Sequence, residues 1–269
     1  MTDSESDERP WVAGMYDYYL GGTANTAVDR AAVERIRAVL PEIGEAAWAT
    51  RGFLQRAVKR MAVDWGIRQF IDLGAGLPTQ RNTHQVVAEV TSGARVVYVD
   101  IDPRVIERGR LLLAGLDGTT VVQGDLRRPD DILGHPETQR LINFDEPVGL
   151  LMVAVTQFVA DSDDPWGIVG RYVEAIAAGS YLALSAPTGD HQAERIVDVV
   201  RSVYAATPTS AKERTRAEIE RFFRGLDLVP PYPGADRVVT HVGLWGAEDA
   251  EVADDDASRW FYAAVGRKL

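Results

Sequence analysis

Two acidic residues on either side of a glycine turn are the part of this sequence best placed to do chemistry. Asp72 stands just before the turn in Phe70-Ile71-Asp72-Leu73-Gly74-Ala75-Gly76, and Asp100 closes the next apolar run, Val96-Val97-Tyr98-Val99-Asp100. A Gly-x-Gly turn lets the backbone pass close to a ligand, and a carboxylate ending the following β-run can accept hydrogen bonds from both hydroxyls of a ribose. Each such charge-assisted bond contributes about 1.5–3 kcal/mol. The pattern reads as a nucleoside site, with Gly74, Ala75, Gly76, Asp100 and the adjoining Ile101 against the ligand. A third acid, Asp125, follows Val121-Val122-Gln123-Gly124. With the amide of Leu126 it can read the amino group and ring nitrogen of adenine; a turn or N-cap aspartate is the alternative.

The glycines decide which nucleoside is expected. A dinucleotide fingerprint needs a third glycine for close helix–strand packing around a pyrophosphate, and that position is Thr79. Asp72 would also repel a pyrophosphate, yet it can accept hydrogen bonds within the loop or from the ammonium end of S-adenosylmethionine. The D-x-G-x-G form therefore favours a methyltransferase over a nicotinamide oxidoreductase. Arg51 is the candidate for the methionine carboxylate, because a guanidinium pairs with it bidentately; a surface helix arginine is the alternative.

These residues need a frame. The 269 residues, 46% of them hydrophobic, suffice for one large α/β domain with an appendage. Short apolar strands at 69–73, 95–99, 119–122, 148–154 and 180–185 alternate with helical stretches at 79–91, 103–115 and 165–178, which predicts a parallel sheet. Further helices are expected near 190–206 and 210–224, and 226–229 with 260–265 as an antiparallel edge pair. Residues 1–9 read as a disordered tail. Residues 10–66, with helices at 28–39 and 45–64, read as an N-terminal cap over the strands' carboxyl edge, and 67–269 as the ligand-binding domain.

Composition narrows the partners. A net charge of −11 argues against a nucleic-acid backbone. There is no cysteine, hence no disulfide and no thiolate metal site. The four histidines are too scattered for a transition metal, and Asp254-Asp255-Asp256 reads as a solvated run. The acidic start is unlike a signal peptide, and no run reaches ~20 apolar residues, so a cytoplasmic protein without membrane contact is expected.

Nearly the whole chain resembles the actinobacterial SAM-dependent methyltransferases formerly catalogued only as a domain of unknown function. The resemblance rests on Tyr16-Asp17-Tyr18-Tyr19-Leu20-Gly21-Gly22, Asn25, Val28-Asp29-Arg30, Arg51-Gly52-Phe53-Leu54, Asp72 through Leu77-Pro78-Thr79, Asn82-Thr83-His84, Val96 through Asp100, Asp102-Pro103, Asp125-Leu126-Arg127 and Val265-Gly266-Arg267-Lys268. It implies a Rossmann-like class I fold with a mostly parallel seven-stranded sheet, an antiparallel last strand and S-adenosylmethionine as cofactor. Three positions depart from the family: Thr23-Ala24 replaces Lys-Asp, and Gln157 and Ala186 stand where histidines are common.

Without those histidines the obvious general bases are gone. Thr156-Gln157-Phe158 follows the buried strand at the edge where the methyl group should point, with Thr156 assigned to the cofactor and Gln157 to the acceptor. Tyr16, Tyr19, Gln157 and Asp161 are the candidates to orient the acceptor or take its proton. An aromatic wall including Phe158 and Trp166 favours a flat small molecule. C- or N-methylation of a specialised metabolite such as an indole is expected. O-methylation, or cofactor binding without turnover, is the alternative. Trp11, Tyr16, Tyr18 and Tyr19 pack against the cap or against a second copy, which motivates the expectation of a homodimer.

Overall fold

The computed structural model describes residues 9–77 and 81–269. Most of the expected tail, and the Pro78 and Thr79 positions, lie outside the described residues.

Among the described residues three helices precede the first strand: α1 (Val12–Tyr19), α2 (Ala27–Arg37) and α3 (Ile43–Val63). The Tyr16-Asp17-Tyr18-Tyr19 segment thus lies in a helix, followed by Gly21 at φ +75°. Two buried acids hold it. Asp29 Oδ1 accepts the Trp11 amide at 2.6 Å while Oδ2 accepts the Thr26 amide at 2.8 Å, closing a capping box on α2. At the other end of α1, Asp17 Oδ2 accepts from the Ala24 amide and from Asn25 Nδ2, both at 2.8 Å. The acids of the Tyr-Asp-Tyr and Val-Asp-Arg segments are therefore scaffold for the helical start of the chain.

Phe53, Leu54, Ala57, Val58 and Met61 recur at helical spacing on α3 and pack with Phe70, Val96, Leu151 and Ala263 on one face of the sheet. Its N-terminal turns, Ile43, Ala46 and Ala47, instead join Met15, Tyr19, Val33 and Ile36 in a separate cluster. One helix thus spans both layers, and Arg51 lies between them.

The parallel strands are β1 (Gln69–Leu73), β2 (Arg95–Asp100), β3 (Thr119–Gln123), β4 (Gly149–Val153) and β5 (Tyr181–Pro187). Two-residue strands β6 (Asp227–Leu228) and β7 (Thr240–His241) both pair antiparallel with β8 (Phe261–Arg267), itself antiparallel to β5. The order is β3-β2-β1-β4-β5-β8-β6, with β7 also on β8. The sheet has eight strands where seven were expected, because two short segments share the outermost position. Trp260, expected inside the last strand, lies in a 3-10 turn before it.

Helices α4 (Thr83–Ala88), α5 (Pro103–Leu112), α8 (Pro165–Ala175) and α9 (Glu194–Tyr204) are shorter than the stretches read for them. Short α6 (Pro129–Leu133) and α7 (Pro136–Leu141) were not anticipated, and α11 (Ala250–Ala253) is a single turn. The helix expected at 210–224 is α10 (Arg216–Glu220) and a 3-10 turn, Arg221–Phe223. The strand order reverses direction between β1 and β4, and at such a switch point the carboxyl ends of parallel strands leave a crevice. Among the described residues no helix is long and apolar enough to cross a membrane.

Candidate active site

At the crevice the glycine turn is held to β2. Gly74 and Ala75 donate their amides to Val99 O at 2.8 and 3.1 Å, and Gly76 donates to Asp100 Oδ2 at 2.9 Å. Gly74 and Gly76 sit at φ +71° and +63°, a region that disfavours a Cβ. A Cβ on Gly74 would also fall inside the Val155 side chain, whereas no described atom lies within 4 Å of one on Gly76. The first glycine is thus required by packing, and the second leaves a cradle among the described residues. Asp100 Oδ1 accepts the Asp102 amide at 3.0 Å. Burial lifts this carboxyl above its ordinary range, opposed by the amides of Asp102, Gly76 and Ile101. Ile101 beside it is 51% exposed, an apolar surface in the open.

Asp72 is buried, and Thr83 Oγ1 donates to its Oδ2 at 2.7 Å. Burial raises its carboxyl to about 6, opposed by the Thr83 hydrogen bond and by Arg51. Arg51, buried on α3, donates to Asn82 Oδ1. Tyr16 from α1 senses Arg51, Tyr204 and Asp72 together, so these groups converge. Burial pushes the Tyr16 phenol up, and Tyr19, beside Tyr204, is pushed well up for the same reason. Both phenols keep their protons at neutral pH, and the Tyr16 hydroxyl donates its own to Ala47 O at 3.4 Å.

After β4 the chain turns through Ala154, a non-glycine at φ +53°, and Val155 against Gly74 into the 3-10 turn Thr156–Phe158. Gln157 Nε2 donates to Ala154 O at 2.8 Å, which fixes the amide. Gln157 Oε1 and Thr156 Oγ1 are buried with no hydrogen-bond partner among the described residues. Buried polar atoms are rarely left so. The turn is clamped from behind by Arg214, 1% exposed, which donates to Thr156 O, Val159 O and Asp161 Oδ1 at 3.1, 2.9 and 3.1 Å. The Lys212 amide donates to Gln157 O at 2.9 Å.

Several expected residues do other work. Asp161 is ion-paired to Lys212 and Arg214, and the Lys212 ammonium holds its carboxyl below the usual range, which makes it a weak proton acceptor. Arg127 takes both oxygens of Asp125 through its side chain and donates its amide to Oδ1 at 2.9 Å, the turn alternative. The Leu126 side chain packs on the main core and its carbonyl accepts from Tyr172 at 3.0 Å. Trp166 donates its indole N–H to Glu218 O at 2.9 Å under the Arg221 guanidinium. Tyr18 points outward to Glu34. Sequence reading missed Asn82 and Thr83 as contacts of Arg51 and Asp72, and missed Tyr204, whose ring lies 6.1 Å from that of Phe158. Trp11 packs with Leu77 and Val105 under the Arg104 guanidinium, tying α1 to the glycine turn and to α5. Among the described residues no cluster of acids and histidines has metal-binding geometry.

Comparison with known proteins matches this geometry to a family. The profile of the S-adenosyl methyltransferases matches residues 2–269. A DUF574 family protein from Streptomyces avermitilis is 38% identical, with a TM-score of 0.90 over 98% of this chain and 99% of its own. A candidate methyltransferase from Thermobifida fusca is 36% identical, with a TM-score of 0.87 over 97% and 95%. The N-methyltransferase NodS from Bradyrhizobium japonicum, 11% identical with a TM-score of 0.51 over 82% and 96%, shares the fold alone. No curated protein matches the sequence.

Proposed function

The chain belongs to the S-adenosyl methyltransferase family and is a SAM-dependent methyltransferase; from that premise we propose that its acceptor is a small, flat aromatic or heteroaromatic metabolite methylated on carbon or nitrogen, as in an indole. The cofactor half of this reading rests on the donor set. Asp72 and Arg51 together match a zwitterion, one taking the methionine ammonium and the other its carboxylate. Gly74, Ala75 and Gly76 let the backbone close on the ligand, the open Cβ direction of Gly76 leaving room for it. Asp100 takes the ribose diol with its remaining lone pairs, and exposed Ile101 offers the adenine ring an apolar face. Asp125 acts on adenine only indirectly, by shaping the turn that presents Leu126. The fit to S-adenosylmethionine is good.

Bound S-adenosylmethionine supplies an activated methyl group, so the protein's task is alignment and exclusion of water. The observation that carries the acceptor reading is Oε1 of Gln157, buried and without a hydrogen-bond partner among the described residues, next to Phe158, whose ring lies 6.1 Å from that of Tyr204, itself a neighbour of Tyr16 and Tyr19. An amide oxygen in that position accepts an N–H or O–H from the acceptor, while the aromatic rings hold it flat. Tyr16, whose hydroxyl donates to Ala47 O, and Tyr19 orient it through their rings, Thr156 borders the cofactor, and Asp161 holds the loop in place. None of these offers a free base, which favours an acceptor atom that is nucleophilic without one. Of residues 10–66, those ahead of Phe53 act as the cap, closing through Trp11 on the glycine turn, while the rest of α3 belongs to the face of the sheet.

The test is transfer of labelled methyl from S-adenosylmethionine to a panel of indoles and phenols, with small-molecule, protein and RNA fractions of a cell extract alongside. Label in a small aromatic compound is expected. Label confined to protein or RNA overturns the acceptor class. The aromatic residues behind the expected homodimer pack within this chain, and light scattering reads its mass directly.

A further inference from the structure

The segment Asn82-Thr83-His84 sends three consecutive side chains to three different elements. Asn82 Oδ1 takes the guanidinium of Arg51 on α3, Thr83 Oγ1 donates to Asp72 on β1, and His84 Nδ1 lies 2.8 Å from the hydroxyl of Tyr98 on β2. The first turn of α4 is pinned for this, since the Asn82 amide donates to Gln85 Oε1 at 2.7 Å. The Tyr98 hydroxyl also accepts the His84 amide at 2.9 Å and lies against Thr83. Thr83, itself buried, is thus held with its hydrogen on the carboxylate.

We propose that Thr83 and Asn82 are positioning residues of the cofactor site, Thr83 keeping Asp72 charged beneath the methionine end and Asn82 aiming Arg51 across it. The inference rests on the proposed roles of Asp72 and Arg51. Its physical core is that a hydroxyl donated to a buried carboxylate favours the charged form, and only the charged form pairs with an ammonium. Asp72 is pulled in both directions. Burial and Asp100 on β2 favour the neutral acid, whereas Thr83 on α4 and Arg51 on α3 favour the carboxylate; the Tyr16 and Tyr98 phenols also face it and keep their protons. Removing the Thr83 hydroxyl tips that balance inside the neutral range.

The experiment is calorimetric titration with S-adenosylhomocysteine, which carries the same ammonium and carboxylate, between about pH 5.5 and 8. In Thr83→Val the pH at which half the affinity is lost moves up by about one unit, with binding about threefold weaker near pH 6.5 and approaching tenfold weaker near pH 5.5. Thr83→Ser restores the wild-type profile. Asn82→Ala weakens binding at every pH and moves the midpoint less than Thr83→Val does. Thr83→Ala serves where the valine variant does not fold. A Thr83→Val or Thr83→Ala profile that overlays the wild type overturns the inference. Asp72→Asn separates the two levels: unchanged affinity at neutral pH overturns the role of Asp72 itself. Weakened Asp72→Asn beside an unshifted Thr83 variant overturns the positioning role alone.

Discussion

Gly76 donates its amide hydrogen to Asp100 Oδ2 at 2.9 Å, so the acid that ends β2 also fixes the turn that follows β1. One side chain therefore faces the ligand and shapes its cradle. Asp100→Ala removes the ribose acceptor and the anchor of the turn together, and S-adenosylhomocysteine should bind weaker by about 2 kcal/mol or more, about thirtyfold. Asp100→Asn keeps a neutral acceptor for Gly76 and should lose less. Calorimetry at neutral pH compares them; equal affinity in all three proteins would take Asp100 out of the site.

The two glycines should separate folding from binding. In Gly74→Ala the new Cβ meets Val155 as well as a left-handed backbone, and Val155 leads directly into Thr156 and Gln157. Stability should fall by about 3 kcal/mol or the variant should not fold. Gly76→Ala carries only the backbone strain, about 1–2 kcal/mol, because its Cβ direction is open among the described residues. It should fold and bind S-adenosylhomocysteine poorly. Urea melts and calorimetry on the pair decide; tight binding by Gly76→Ala would remove the cradle from the argument.

Arg214 should matter more to the fold than Asp161, its ionic partner. Arg214→Met strands the carbonyls of Thr156 and Val159, both held by a fully buried guanidinium, and should cost about 3 kcal/mol. Asp161 is partly exposed and shares its charge with Lys212, so Asp161→Asn should cost under about 1 kcal/mol. Methyl transfer should survive Asp161→Asn. Loss of turnover with cofactor binding intact would restore Asp161 as a proton acceptor.

What could be read in advance depended on how far apart the partners lie in sequence. Asp72, Gly74 and Gly76 share one short segment, and the run ending in Asp100 carries its own β pattern, so turn and acid were legible together. Arg214 was not, because its partners lie 53 to 58 residues earlier and Lys212-Glu213-Arg214 reads locally as a solvated triplet. Tyr16, Tyr18 and Tyr19 looked alike in a row, yet on a helix residues two apart face different sides, which sends Tyr18 to Glu34 while Tyr16 and Tyr19 turn inward. Asp125 shows the opposite failure. Its turn partner Arg127 is two residues away and visible, but two acidic strand ends before it favoured a ligand. Strand β7 has two residues and no periodicity to detect.

Asp72 should leave a pH signature on the unliganded protein. Burial lifts its carboxyl from 3.8 to about 6, so the folded chain holds this proton more tightly than the unfolded chain does. The resulting stability is fully present below about pH 4 and is lost as pH rises through about 6. A shift of this size corresponds to about 3 kcal/mol. Asparagine mimics the neutral acid and still accepts from Thr83, so Asp72→Asn should be nearly as stable as wild type near pH 4 and more stable, by up to that amount, near pH 7.5. Asp125, Asp161 and Asp254, held low by Arg127, Lys212 and Arg259, act in the opposite sense, losing their contribution as pH falls. They are common to both proteins and cancel in the difference. Urea denaturation at the two pH values measures it, and a difference that does not change with pH would show that Asp72 stays charged in the folded chain. Saturating S-adenosylhomocysteine should reverse the order near pH 7.5, because the ligand stabilises only the protein whose acid can meet its ammonium.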